Sequence, residues 1–122
     1  MALRVMIVDD IPYIRKLLKE IIDSFEFQLV AEASNGLEAI ELAKKHKPDL
    51  IIMDIVMPKL SGIDATKEIR KFCPQSKIVM CSSLGQDPII KESLKAGASD
   101  FIVKPFEAKD VIKLIKKVVQ PK

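Results

Sequence analysis

Carboxylates, a hydroxyl and a lysine close four short apolar runs in this 122-residue chain. The run ending at Val8 leads into Asp9 and Asp10, and Leu50–Met53 leads into Asp54. Ile78–Cys81 leads into Ser82 and Ser83, and Phe101–Val103 into Lys104 and Pro105. An Asp after a strand is often just the N-cap of the next helix. Three that converge need another account. Two carboxylates about 4 Å apart repel by roughly 1 kcal/mol in water and about 4 kcal/mol at an effective dielectric of 20. A fold that gathers three must neutralise them with protons, a lysine or a cation. Carboxylate oxygens are hard ligands suited to Mg2+, which takes one or two of them, keeps waters and accepts phosphate oxygens. Asp9, Asp10 and Asp54 are therefore candidate metal ligands. Asp54 is also a candidate nucleophile, because carboxylates form aspartyl-phosphates. Lys104 would clamp phosphoryl oxygens as a point charge, and Ser82 would donate a hydroxyl to one.

The elements that must position these groups alternate in hydrophobic period. Strand-length apolar runs occupy Leu3–Val8, Phe27–Ala33, Leu50–Met53, Ile78–Cys81 and Phe101–Val103. All but the second are nearly continuous in apolar residues, as in parallel strands covered on both faces; the second carries polar residues and suits a sheet edge. Amphipathic helices are predicted over Pro12–Phe25, Gly36–Lys45, Gly62–Phe72, Pro88–Ala96 and Ala108–Val119. In the first, Ile14, Leu17, Leu18, Ile21, Ile22 and Phe25 form one stripe of 3.6-residue period. Pro12 suits a first helical turn, where its missing N–H costs nothing. Five β-α repeats imply an α/β fold with right-handed crossovers and a doubly wound five-stranded parallel sheet. Such sheets bind ligands beyond the carboxyl ends of their strands. That is where the polar residues fall.

At these residues the sequence resembles the receiver domain of two-component response regulators over essentially its whole length. The family's acidic pair is matched by Asp9 and Asp10. Its Asp-x-x-Met-Pro-x-x-x-Gly segment is matched by Asp54, Met57, Pro58 and Gly62, and its Ser/Thr after strand four by Ser82. Its Lys-Pro pair, usually joined by a cis peptide bond, is matched by Lys104 and Pro105. The resemblance implies a flavodoxin-like (βα)5 fold with strand order 2-1-3-4-5, one domain over 1–122, and phosphorylation at Asp54 by a sensor histidine kinase with Mg2+. It implies Asp9, Asp10, Asp54 and the backbone carbonyl of Val56 as metal ligands, Ser82 and Lys104 on the phosphoryl oxygens, and Ser82 with Phe101 as the switch pair. Within the family the chain is most similar to stand-alone CheY-type chemotaxis regulators. The implied partners are a CheA-like kinase, the flagellar motor switch protein FliM, and an aspartyl-phosphate phosphatase. Lys91, Lys95, Phe101, Lys104, Lys109 and Lys113 would contribute to the face of the fourth helix, fifth strand and fifth helix that meets the target. Only Gln120–Lys122 follow the last predicted helix, so no output domain is expected. Val56 and Leu84, two residues beyond Asp54 and Ser82, are apolar where the family modulates hydrolysis. Slow self-dephosphorylation is therefore expected.

Composition narrows the alternatives. An apolar fraction of 48% and a charged fraction of 30% are those of a globular chain. The net charge of +3 is small, and the lysine runs lack interleaved aromatics, so nucleic acid is not an expected partner. Cys73, Cys81 and the single His46 have no metal-ligand spacing, which excludes a zinc site. The apolar run before Asp9 is too short for a signal-peptide core, and no stretch approaches a membrane span; a cytoplasmic location is expected. An aspartyl phosphohydrolase would carry Asp-x-Asp on its first strand, whereas this pair is adjacent. A relay to a second histidine protein, or an output other than motility, is the nearer alternative.

Overall fold

The computed structural model describes residues 2–119; Met1 and the Gln120–Lys122 tail lie outside them. Five strands alternate with five helices: β1 (Leu3–Val8), α1 (Pro12–Asp23), β2 (Phe27–Ala33), α2 (Gly36–His46), β3 (Leu50–Met53), α3 (Gly62–Phe72), β4 (Lys77–Ser82), α4 (Asp87–Ala96), β5 (Asp100–Val103) and α5 (Ala108–Val119). All pairings are parallel and the sheet order is β2-β1-β3-β4-β5. The three inner strands bury nearly every residue, whereas β2 is mixed.

Two readings of the sequence need correction. The fifth strand is covered only in part on its two faces, with Phe101 packed on one side of the sheet and Ile102 on the other. It is an edge with one neighbour, none of its residues is fully buried, and Val103 is 44% exposed. The first helix ends at Asp23 rather than Phe25, because Ser24 caps it: its N–H donates to the Glu20 carbonyl and its hydroxyl to the Ile21 carbonyl. Phe25 leaves the apolar stripe to stack on Phe27, with the Lys116 ammonium over its ring.

The sheet divides the core in two. On one side Met6, Ile51, Met53, Ile69, Ile78 and Met80 pack together, with Phe101 against them. On the other, Val5, Ile7, Leu18, Ile22, Ile52, Val111 and Ile115 do so, with Ile102 and Phe106 against them. The Asn35 side chain caps α2 by accepting the Glu38 N–H, and Ser61 caps α3 by accepting the Asp64 N–H. The N-cap of α1 is Ile11, without a side-chain cap bond. The acidic pair before it is therefore not spent on capping that helix.

Candidate functional site

The parallel ladder runs one residue past the strands, to where the sequence changes from apolar to charged. The Asp9 N–H donates to the Ala33 carbonyl, Asp54 N–H to Val8, and Lys104 N–H to Ser82. Each charged side chain is thus set by sheet register rather than by a free loop. Asp9, Asp10 and Asp54 each offer a carboxylate oxygen, and these lie within 4.8 Å of one another. Asp9 is fully buried and Asp54 is 6% exposed; Asp10 is the most open of the three. The Lys104 ammonium sits 2.7 Å from Asp9 Oδ2 and 3.5 Å from Asp54 Oδ1.

The loop after β3 aims Asp54. The Ile55 N–H donates to Asp54 Oδ1, and the Gly62 N–H returns to the Ile55 carbonyl. Gly62 opens α3 so close to this turn that a Cβ would overlap the Asp54 carbonyl oxygen. That explains why the segment from Asp54 ends in glycine. Lys59 lies in the left-handed region at φ 71°, and the Leu60 N–H bonds the Pro58 carbonyl around it. The backbone there is strained, and Val56 stands 61% exposed.

The electrostatics follow from burial. Asp54 is pushed up from 3.8 to about 6, first by loss of solvent and then by the Asp9 charge; Lys104 and the Ile55 N–H pull the other way. Burial opposes the charge on Lys104, but its hydrogen bond to Asp9 and the charges of Asp54 and Asp9 outweigh that and raise its pKa. Ser82 is buried, and its Oγ accepts the Leu84 N–H rather than contacting Asp54. Phe101 is half-buried on β5. The Lys104–Pro105 peptide bond is cis.

Sequence reasoning missed Arg15. Its Nη1 donates to the Asp9 carbonyl at 2.7 Å, and its Nε lies 3.6 Å from Glu32 Oε1. A lone cation on the polar flank of an amphipathic helix carries no signal that separates it from a solvated surface charge. Cys81 is an ordinary buried thiol, pushed up to about 12 by burial, with Lys104 lowering it and Asp9 and Asp54 raising it.

Three hard carboxylates opposed by one close ammonium leave net negative charge in a largely buried pocket, and that donor set fits a divalent cation. The model of the response regulator receiver domain matches residues 5–116. The chain belongs to this family. As a receiver domain it is 49% identical over 118 residues to the chemotaxis protein CheY of Thermotoga maritima, covering 97% of this chain and 98% of that one. It is 47% identical over 119 residues to CheY of Bacillus subtilis, covering 98% and 99%. Among solved structures, the CheX–CheY–BeF3–Mg complex from Borrelia burgdorferi superposes with a TM-score of 0.95 at 34% identity, covering 98% of this chain and 90% of that one. The receiver is thus a CheY-type response regulator of two-component signalling. Among the described residues no helix is long and apolar enough to cross a membrane.

Proposed function

We propose that this chain is one receiver domain over residues 1–122 that takes a phosphoryl group on Asp54 from the phosphohistidine of a CheA-like sensor kinase. In this reading it acts in the cytoplasm on the flagellar motor switch protein FliM. The observation that carries the reading is the buried Asp54 carboxylate with Lys104 at 3.5 Å and two further carboxylates at hand. Asp9, Asp10, Asp54 and the Val56 carbonyl would hold Mg2+, which when bound offsets the charge gathered on the phosphoryl oxygens. A carboxylate oxygen of Asp54 forms the new P–O bond as the P–N bond to the donor imidazole breaks, and the imidazole keeps that electron pair. Lys104, already between Asp9 and Asp54, turns its ammonium to a phosphoryl oxygen. Ser82 gives up the Leu84 N–H contact to donate its hydroxyl to another, and Phe101 turns further into the core beside it.

The chain is a phosphoacceptor rather than a turnover enzyme. Neither Val56 nor Leu84 can orient an attacking water, so the acyl phosphate persists until a phosphatase removes it. Fluoroberyllate with Mg2+ should shift the amide resonances of Ser82 and Phe101; an unchanged spectrum would sink the switch. Capture of FliM by the activated form supports motor control. Capture of a histidine phosphotransfer protein instead would make the chain a relay intermediate. Multiple turnover of a generic phosphate ester would point to a phosphohydrolase.

A further inference from the structure

We infer that Arg15 is a positioning residue for Asp9, holding that carboxylate in its metal-binding pose while Lys104 changes partners. The inference rests on the metal site proposed above. Every polar group of Asp9 is engaged. Its N–H donates to the Ala33 carbonyl at 3.1 Å, Oδ1 accepts the Ile11 N–H at 3.0 Å, Oδ2 accepts Lys104, and the carbonyl accepts Arg15. β1 ends at Val8, so the Asp9 carbonyl has no strand neighbour to donate to it; the guanidinium supplies the donor a sheet would have supplied.

The four contacts differ in permanence: the Ala33 contact belongs to the sheet ladder and holds the N–H side of Asp9 throughout. The Ile11 contact lies within the same turn and moves with it. The Lys104 contact is given up when that ammonium turns to a phosphoryl oxygen. Arg15 is different. It comes from α1, and Glu32 on β2 steadies its Nε from the far side at 3.6 Å. Its contact with Asp9 reaches only the backbone carbonyl and leaves both carboxylate oxygens free of it. It therefore fixes where Asp9 stands without competing for the cation. The α1 N-terminus has no side-chain cap of its own, so this bond adds to the Ile11 N–H contact in tying the helix start to the end of β1.

Charge alone predicts the opposite sign. A guanidinium beside a dication site repels the dication, so removing it would tighten metal binding. A support predicts weakening, because partners of metal ligands typically contribute tenfold or more in affinity. Mg2+ titration by calorimetry on the unphosphorylated parent chain, Arg15→Met, Arg15→Lys and Glu32→Gln separates them. We expect about tenfold weaker binding for Arg15→Met and about threefold for Arg15→Lys, which keeps the charge but loses the planar fork. Phosphorylation by a small phosphodonor should need correspondingly more Mg2+ but reach the parent rate at saturation. Thermal unfolding in chelator reports whether each variant folds. If Arg15→Met does not, Arg15→Lys and Glu32→Gln carry the test. Unchanged or tighter Mg2+ binding in the folded variants would overturn the role of Arg15 while leaving the metal site standing. A parent chain that binds no Mg2+, or binds it equally as Asp9→Asn, would bring down the metal site and this inference together.

Discussion

A carboxyl group lifted from 3.8 to about 6 holds its proton more tightly in the folded chain than in the unfolded one. The stability this gives is complete below about pH 4 and is lost as the pH rises through 6. Without metal, Asp54 therefore weakens the fold at neutral pH. We expect Asp54→Asn to stabilise the chelated protein by about 1–2 kcal/mol at pH 7, with the gain fading towards pH 4, as read by thermal unfolding across that range. Mg2+ should stabilise the parent and do far less for the variant. Cys81 is shifted in the same direction. Burial holds its thiol protonated at working pH, and Cys73 is equally enclosed. A thiol reagent should leave both unmodified in the native chain and label both after denaturation; rapid native labelling would contradict the packing. The acidic triad and Lys104 were legible because each breaks an apolar run. The Ile55 N–H and Arg15 were not, since one is backbone and the other acts on backbone.

At the scale of elements, the sequence pattern found all ten and placed most ends within a residue. Its errors have one cause. Periodicity reports which side chains face inward, not which backbone groups are capped or paired. Ser24 ended α1 early through its own hydrogen bonds, and β5 kept its apolar run although only β4 flanks it. Glycines at element junctions carry the sharpest tests. At Gly62 a Cβ has no room beside the Asp54 carbonyl. Gly62→Ala should cost about 1–3 kcal/mol in denaturant unfolding, and the displaced acceptor should phosphorylate about 100-fold more slowly. Gly97 ends α4 at φ 119°, with its carbonyl accepting the Arg70 Nε–H at 3.0 Å. A Cβ there meets both an unfavourable backbone region and the Arg70 side chain. Gly97→Ala should lower stability by about 1–3 kcal/mol in the same measurement, with Asp54 chemistry preserved.

For the whole molecule, the strand order gathers the candidate site at one end of the sheet, and β5 with its flanking helices is the side where the proposed target would dock. Lys91, Lys95, Lys109 and Lys113 are exposed along that side. If an acidic target docks there, Lys113→Ala should weaken capture of the activated chain by about 1 kcal/mol and reduce its salt sensitivity, as followed by a binding isotherm at two ionic strengths. The sheet also has a consequence for how such a chain adapts. Phe101 packs with the core on the α3 and α4 side, whereas Ile102, its neighbour in sequence, packs with the core on the α1 and α5 side. A rearrangement centred on Phe101 disturbs one compartment and spares the other. Residues such as Leu18, Ile22 and Ile115 could then be exchanged as a lineage moves to a hotter or colder habitat, changing melting temperature with little effect on the switch proposed for Phe101. Thermal adaptation and signalling gain can evolve on separate clocks in one small chain.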